Sequence, residues 1–341
     1  MDLGRYSRQI AFPAIGIHGQ DQLAKSHVVV CGCGALGTAQ ANLMVRAGVG
    51  KLTIIDRDFV DLSNLQRQTL FDENDVQSHQ PKAVAAATRL AEINSQCSIH
   101  PVVADLNWEN IESLVGDADF VMDGTDNFET RFLINDVCCK TSKPWVFGGC
   151  LGAEGQSMTI LPGTGACFAC LMPEPPAADA VATCETGGIL GPTIQMIASI
   201  QVTEALKVLT GQAQQVSKNL TVIDLWSSQF RTVRLEKLAE RGCRVCRGHE
   251  FDWLEGRQGS HAKVLCGRNS VQLSGKSGNV LELDSLAERL KTLGQVLVNA
   301  YLLRFEIDEY AITVFPDSRT IVTGTEDPAV ARSLVSKYIG A

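Results

Sequence analysis

Val28-Val29-Val30-Cys31-Gly32-Cys33-Gly34-Ala35-Leu36-Gly37, followed after the next helix-like stretch by Leu52-Thr53-Ile54-Ile55-Asp56, decides how the rest of this chain is read. Two short apolar runs flank a Gly-x-Gly-x-x-Gly turn, and the second run ends in an acid. Strand, glycine turn, helix and strand in this order bring backbone amides close to a phosphate at a helix N-terminus, and the terminal acid accepts hydrogen bonds from ribose hydroxyls. Gly32, Gly34, Gly37 and Asp56 are therefore the first candidate nucleotide-binding residues. The glycine pattern alone also serves nicotinamide dinucleotides. Residues beyond the acid separate the two chemistries, because Asn64, Arg67 and Gln68, and then Pro81-Lys82, add cations and amides. Hydride transfer wants a flat apolar slot, whereas fixed cations suit a nucleotide whose phosphates react.

Working outward, residues 36–47 read as a helix stopped by Gly48-Val49-Gly50, 82–93 as an alanine-rich helix, and 98–104 as a strand. A short helix at 108–114, a strand at 119–123, a helix at 128–140 and a strand at 145–148 continue the alternation. This rhythm predicts an α/β fold, a doubly wound and mostly parallel sheet with helices on both faces. From Gly155 the pattern changes, and strands at 156–160, 221–225 and 230–235 around a 192–209 helix predict an antiparallel extension. Residues 173–182, rich in Pro and Ala, read as a mobile crossover loop. The first domain is expected over 1–250. A small α+β domain is expected over 251–341, with strands at 263–265, 270–273, 297–307, 310–315 and 320–324 and helices at 285–293 and 328–338.

The net charge of −8 and the lack of a basic block argue against a nucleic-acid surface. No stretch approaches the roughly 18 apolar residues of a membrane span and the first residues carry no apolar leader, so a soluble cytoplasmic protein is expected. Twelve cysteines in such a chain point to metal or thiol chemistry instead of disulfides. Cys167-x-x-Cys170 and Cys243-x-x-Cys246 supply four thiolates, the donor set of a closed, structural zinc site. Asp126, after a strand and a Gly-Thr turn, suits either a magnesium ion bridging phosphates or a cap for the next helix; the company of Asp56, Arg67 and Lys82 favours the metal. Cys184, with no second cysteine nearby, is either a loop nucleophile or a small filler, and Cys31 and Cys33 are expected to pack under the glycine turn.

Arg5-Tyr6-Ser7-Arg8-Gln9, the turn at 32–37, Asp56, residues 63–68, Pro81-Lys82, Thr125-Asp126-Asn127, Glu154-Gly155-Gln156, Cys184 and both cysteine pairs occur in one order over residues 1–250. Together they resemble the ThiF/MoeB/HesA family, bacterial relatives of the ubiquitin-activating enzymes. The resemblance implies an adenylyltransferase that uses ATP and Mg2+ to activate the C-terminal glycine of a small ubiquitin-like sulfur-carrier protein ending in Gly-Gly, for a thiamine, molybdopterin or thiolation pathway. It implies a homodimer in which Arg8 reaches the neighbouring subunit's ATP. It places Asp56 on the ribose, Asn64, Arg67 and Lys82 on the phosphates, and Asp126 on magnesium, and it makes Cys184 the counterpart of a cysteine that some members link covalently to the carrier.

Two departures stand out. Gln77-Ser78-His79-Gln80 replaces a shorter glycine-containing turn before Lys82, and Cys266 falls in an expected strand, so the C-terminal unit is not the rhodanese-like domain some relatives append. It is expected to dock a partner or the dimer. Two other classes compete: an NAD(P)-dependent oxidoreductase, resting on the glycine turn and Asp56 alone, and a non-catalytic scaffold with a relic nucleotide site, against which intact Arg67, Lys82 and Asp126 argue.

Overall fold

β-branched runs covered on both faces are the mark of parallel strands, and here they pair in that way. The computed structural model describes residues 4–176, 187–239, 242–258, 262–265, 269–273 and 281–339. In it β1 (His27–Cys31) lies between β2 (Lys51–Ile55) and β4 (Phe120–Asp123), with β3 (Ser98–Val102) and β5 (Trp145–Leu151) outside them, all parallel. Val28 faces Leu52 on one side and Phe120 on the other. Alternate β1 side chains enter two cores. Val28 and Val30 pack with Met44 and Leu90 from the helices Ala35–Ala47 and Lys82–Ile93; Val29 and Cys31 pack with Ile134 and Val137 of the helix Phe128–Thr141. The sheet is therefore doubly wound, as expected.

β6 (Glu154–Ile160), β7 (Leu220–Asp224) and β8 (Gln229–Val233) add the antiparallel extension, giving the order β3-β2-β1-β4-β5-β6-β7-β8. The helix Gly191–Leu209 carries Ile194, Ile197 and Ala198 against Leu36 and Ala39. No helix among the described residues is long and apolar enough to cross a membrane.

The chain divides into two compact units, Met1–Gln258 and Gly259–Ala341. Residues 251–258 stay with the first unit, so the division falls after the expected residue 250. The reason is packing: Trp253 stacks on Phe132 with ring centroids 5.3 Å apart, and the Trp253 and Leu254 amides donate to Asp136 Oδ2 at 3.0 and 3.4 Å. In the second unit β9 (Ala262–Leu265), β10 (Ser270–Leu273), β11 (Gln295–Asn299), β12 (Leu302–Ile307), β13 (Tyr310–Val314) and β14 (Thr320–Thr323) form an antiparallel sheet in the order β11-β12-β13-β14-β10-β9. Leu286 and Leu290 of the helix Leu283–Leu290 and Ala331 and Val335 of the helix Pro328–Tyr338 share a core with Leu303, Phe305, Ile312 and Val322. The run 297–307, expected as one strand, is two. Asn299 Oδ1 accepts from the Tyr301 and Leu302 amides at 2.8 and 3.1 Å, and this turn folds β12 back on β11. Cys266 and residues 177–182 of the expected crossover loop lie outside the described residues.

Asp136 is fully buried, its Oδ1 has no hydrogen-bond partner among the described residues, and burial pushes its carboxyl up to about 6. Its unfolded value is about 3.9, so the folded state holds the proton longer, and stability falls as pH rises from about 4 through about 6. The shift corresponds to at most about 3 kcal/mol. Asp136→Asn should remove this component: in denaturant titrations, the wild type should lose stability relative to the variant between pH 4 and 6.5. A constant difference across that range would contradict the assignment.

Candidate active site

The strand order reverses between β1 and β4, where the helices Ala35–Ala47 and Phe128–Thr141 leave for opposite faces of the sheet. In an open parallel sheet this is where a crevice opens at the carboxyl ends. Gly32, after β1, has φ +89°, and a Cβ there would stand 2.8 Å from the Gly124 carbonyl oxygen beyond β4. A Cβ on Gly37 would meet the Gly32 oxygen at 1.9 Å, and one on Gly124 the same oxygen at 2.7 Å. These three glycines serve backbone packing. Gly34 differs, since its Cβ would meet nothing closer than the Gly124 oxygen at 3.7 Å. It caps the helix Ala35–Ala47, and its lack of a side chain keeps room for a ligand.

Asp56, at the end of β2, accepts from the Cys33 amide at 2.6 Å and the Asp58 amide at 2.7 Å. Its carboxylate thus holds the glycine turn in place. Burial pushes its carboxyl up, opposed by the charge of Lys82. Lys82 opens its helix with 4% of its side chain exposed and its Nζ 3.5 Å from Asp58 Oδ2, while its amide donates to the Asp58 carbonyl at 2.8 Å. The longer turn before Pro81 therefore still delivers this lysine to the end of β2. Cys33 is buried with its Sγ 3.8 Å from the Lys82 carbonyl oxygen, and Cys31 is buried in the strand.

Asn64 and Gln68 are buried on one turn, and the Gln68 amide donates to the Asn64 carbonyl at 2.9 Å. Gln68 Oε1 has no hydrogen-bond partner among the described residues, an arrangement that costs about 1–3 kcal/mol unless a bound group supplies the donor. Arg67 stands apart from this group. Its Nη1 donates to the Ser63 carbonyl at 2.8 Å, and it lines a separate cavity of about 600 Å³ together with Gly191, Gln195 and Met196. Asp126 is exposed beyond β4. The next helix is capped by Asn127, whose Oδ1 accepts from the Thr130 amide at 2.8 Å, so Asp126 has no capping duty. Arg8 is also exposed, although its neighbours are fixed: Tyr6 is buried and accepts from Asn94 Nδ2 at 2.9 Å, and Gln9 donates to the Ala47 carbonyl at 2.8 Å. Cys184 lies outside the described residues.

Below the crevice lies a buried polar layer that sequence reasoning missed. Asp123, the last residue of β4, takes Arg131 Nε at 3.1 Å and Thr125 Oγ1 at 2.6 Å. Burial pushes its carboxyl up and the Arg131 charge opposes this. Gln40 and Gln201 both donate to the Asp123 carbonyl, at 2.8 and 3.1 Å. Arg57, Asp58 and Asp105 were missed as well: Arg57 Nη1 donates to Asp105 Oδ1 at 2.8 Å, and its Nε lies 3.8 Å from Asp58 Oδ1. The signal for Asp123 was the one that identified Asp56, an acid closing an apolar strand. For Asp58 it was the repeated acid two residues past Asp56.

Away from the crevice, the sulfurs of Cys167, Cys170, Cys243 and Cys246 all lie within 4.8 Å of one another. Neighbouring pairs are 3.5, 3.7 and 3.8 Å apart. Four sulfurs each about 2.3 Å from one zinc stand about 3.8 Å apart, so the set fits a tetrahedral zinc site. A fifth thiol, Cys139, lies close by, 3.9 Å from the Asn135 Oδ1 that also accepts from the Phe168 amide.

Residues 6–245 match the ThiF family. The chain belongs to that family. It is 42% identical over 338 residues, 99% of each protein, to the sulfur carrier protein ThiS adenylyltransferase of Bacillus subtilis (strain 168). The SAMP-activating enzyme E1 of Haloferax volcanii is 38% identical over 74% of this chain and 92% of its own length. The adenylyltransferase and sulfurtransferase MOCS3 of Danio rerio is 38% identical over 72% of this chain, which spans about half (53%) of that protein. The solved structure of E. coli MccB shares the fold, with a TM-score of 0.63 at 20% identity over 72% of this chain and 73% of its own. Family membership sets aside the oxidoreductase reading of the glycine turn.

The two kinds of glycine lead to opposite outcomes in this ThiF-family protein. Gly37→Ala should cost about 1–3 kcal/mol or more by overpacking, with Tm falling about 2–4 °C for each kcal/mol. Gly34→Ala should hold Tm within about 2 °C while weakening ATP binding. Thermal melts and ATP titration of the two variants check this, and a stable Gly37→Ala protein with normal ATP affinity would refute it.

Proposed function

We propose that this protein adenylates the C-terminal glycine of a small sulfur-carrier protein with ATP, activating it for sulfur transfer. The observation that carries the reading is the meeting of Asp56, Lys82 and an open glycine turn at the carboxyl edge of the sheet, in a chain similar along its whole length to a ThiS adenylyltransferase. In the reaction a carrier carboxylate oxygen bonds to the α-phosphorus, the bond from that phosphorus to the bridging oxygen breaks, and pyrophosphate leaves. The product is a mixed anhydride with AMP. The nucleophile is already ionised, so no general base is required, and the enzyme's work is to position two anions and offset their charge.

Each residue then has a part. Asp56 holds the ribose hydroxyls. Lys82 and the amides after Gly32 take the phosphates, with Asn64 and Gln68 as neutral partners. Arg67 joins them by exchanging the Ser63 carbonyl for phosphate oxygen. Asp126, exposed and free of capping duty, would hold magnesium, which would supply positive charge against the phosphoryl oxygens. Arg8 is held on a fixed segment with its own side chain in solvent, which suits a cation that serves the neighbouring subunit of a homodimer. Cys167, Cys170, Cys243 and Cys246 would hold a zinc ion that ties the segment after β6 to residues 243–246, and four thiolate donors would leave it a structural role. A cytoplasmic location fits an enzyme that draws on ATP.

Mixing the protein with ATP, labelled pyrophosphate and a ThiS-like carrier ending in Gly-Gly should give pyrophosphate exchange. Asp126→Ala should abolish exchange while keeping the wild-type melting curve and one zinc per chain by elemental analysis. Exchange unchanged in the variant would remove Asp126 from the metal site, and no exchange by the wild type with any such carrier would refute the function. Cys184→Ala should leave exchange intact and eliminate any carrier conjugate that thiol reductant cleaves; persistence of that conjugate would exclude the residue.

A further inference from the structure

We propose that Cys139 and Cys167 form a site of reversible oxidation, at which peroxide closes a disulfide and dismantles the four-cysteine zinc site. The inference goes beyond the adenylation reading and needs only the zinc assignment. A tetrahedral zinc uses four thiolates, and this part of the core holds five. Cys139, on the helix Phe128–Thr141, stands outside the set of sulfurs that all lie within 4.8 Å of one another, yet its side chain interacts with Cys167, a member of that set. All five are free of disulfides in the structure.

Two contacts fix the register of the pair. Asn135, one turn earlier on the same helix, accepts at Oδ1 from Cys139 Sγ at 3.9 Å and from the Phe168 amide at 2.9 Å, so the fifth thiol and the residue after Cys167 share one acceptor. The Phe168 ring is wedged against Phe132, Trp145 and Phe147, with centroids 5.2, 6.1 and 5.0 Å away. Exposure sets the order of events. Cys167 is 1% exposed and Cys139 is only half-buried, so a small oxidant meets Cys139 first.

The Cys139 thiolate attacks one oxygen of hydrogen peroxide, the O–O bond breaks, and hydroxide leaves a sulfenic acid on Cys139. The Cys167 sulfur then attacks the sulfenic sulfur, the S–S bond forms, the S–O bond breaks, and a second hydroxide departs. The two sulfurs lose two electrons in all, and peroxide is reduced to two hydroxides that take protons from solvent. Cys170, Cys243 and Cys246 are then three donors where a closed tetrahedron needs four, so zinc affinity falls. A thiol reductant reverses the step by exchange.

The test follows zinc and the disulfide and not carrier activity. The isolated protein is treated with hydrogen peroxide while a chromogenic chelator reports free zinc, and peptide mass mapping locates any new disulfide. Wild type should release its zinc and yield a linked Cys139–Cys167 peptide pair, and dithiothreitol with added zinc should restore the site. Cys139→Ser should keep one zinc per chain and the wild-type melting curve while releasing zinc roughly 10-fold or more slowly. Release from Cys139→Ser at the wild-type rate would overturn the proposal, as would a Cys139→Ser protein without zinc, which would make Cys139 a ligand. Mapping in the wild type decides the pairing by itself: a disulfide confined to the four ligands, or one joining Cys139 to another residue, would also overturn it. A wild type isolated without zinc would overturn the metal assignment and this inference with it, and leave the adenylation reading standing.

Discussion

The contact between the backbones that leave β1 and β4 fixes everything above it. Gly32 and Gly124 approach so closely that either Cβ would sit within 2.8 Å of the other residue's carbonyl oxygen, and Gly37 brings the first turns of its helix onto the same spot. This closeness lets the helices Ala35–Ala47 and Phe128–Thr141 depart to opposite faces without pushing the two strand ends apart. A single added methyl at the interlock would displace the amides after Gly32 and the segment bearing Asp126 together, so the two sides of the crevice share one mechanical reference.

That reference is held from below by charge. The Asp123 carboxylate takes Arg131 and Thr125 while its carbonyl takes two glutamine side chains, one from each of the helices Ala35–Ala47 and Gly191–Leu209. A buried ion pair gives little net stability, because desolvation consumes most of the attraction, yet breaking it leaves a charge stranded at a cost of about 3–5 kcal/mol. Its effect is positional. Arg131 also donates to the Thr125 and Gly148 carbonyls, so one guanidinium fixes the end of β4, the turn before Asp126 and the middle of β5.

The sequence made legible whatever depends on local order. Apolar runs closed by glycine or an acid located β1, β2 and β4, and the short spacing of the cysteines foretold a cluster whose halves lie 76 residues apart. What stayed hidden joins distant positions through single polar contacts. Arg57 and Asp105 are 48 residues apart and Asp136 and Trp253 are 117 apart, and nothing in the neighbourhood of either marks its partner. The split of 297–307 into β11 and β12 was hidden for another reason: one asparagine makes the turn within a stretch otherwise apolar enough for a single strand. The place of Arg67 was also beyond reach, because a flexible cation near a reactive nucleotide finds a carbonyl partner when nothing else is offered, and periodicity carries no information about that choice.

Asp58 shows how an acidic protein keeps cations at work in a crevice. Its two carboxylate oxygens face different partners, Oδ1 the Arg57 Nε at 3.8 Å and Oδ2 the Lys82 Nζ at 3.5 Å. An ammonium with only 4% of its side chain in solvent is costly to keep in the crevice without a counter-charge. A guanidinium beside it would repel it. One carboxylate between them removes both problems and fixes the spacing between the cation on the β3 side and the cation at the end of β2. Distances of 3.5 Å and more leave both interactions weaker than a direct charge-assisted hydrogen bond of about 2.8 Å, so an incoming phosphate can compete for Lys82 without dismantling the pair. Asp56, two residues earlier, takes the Cys33 and Asp58 amides, so the two acids hold different partners.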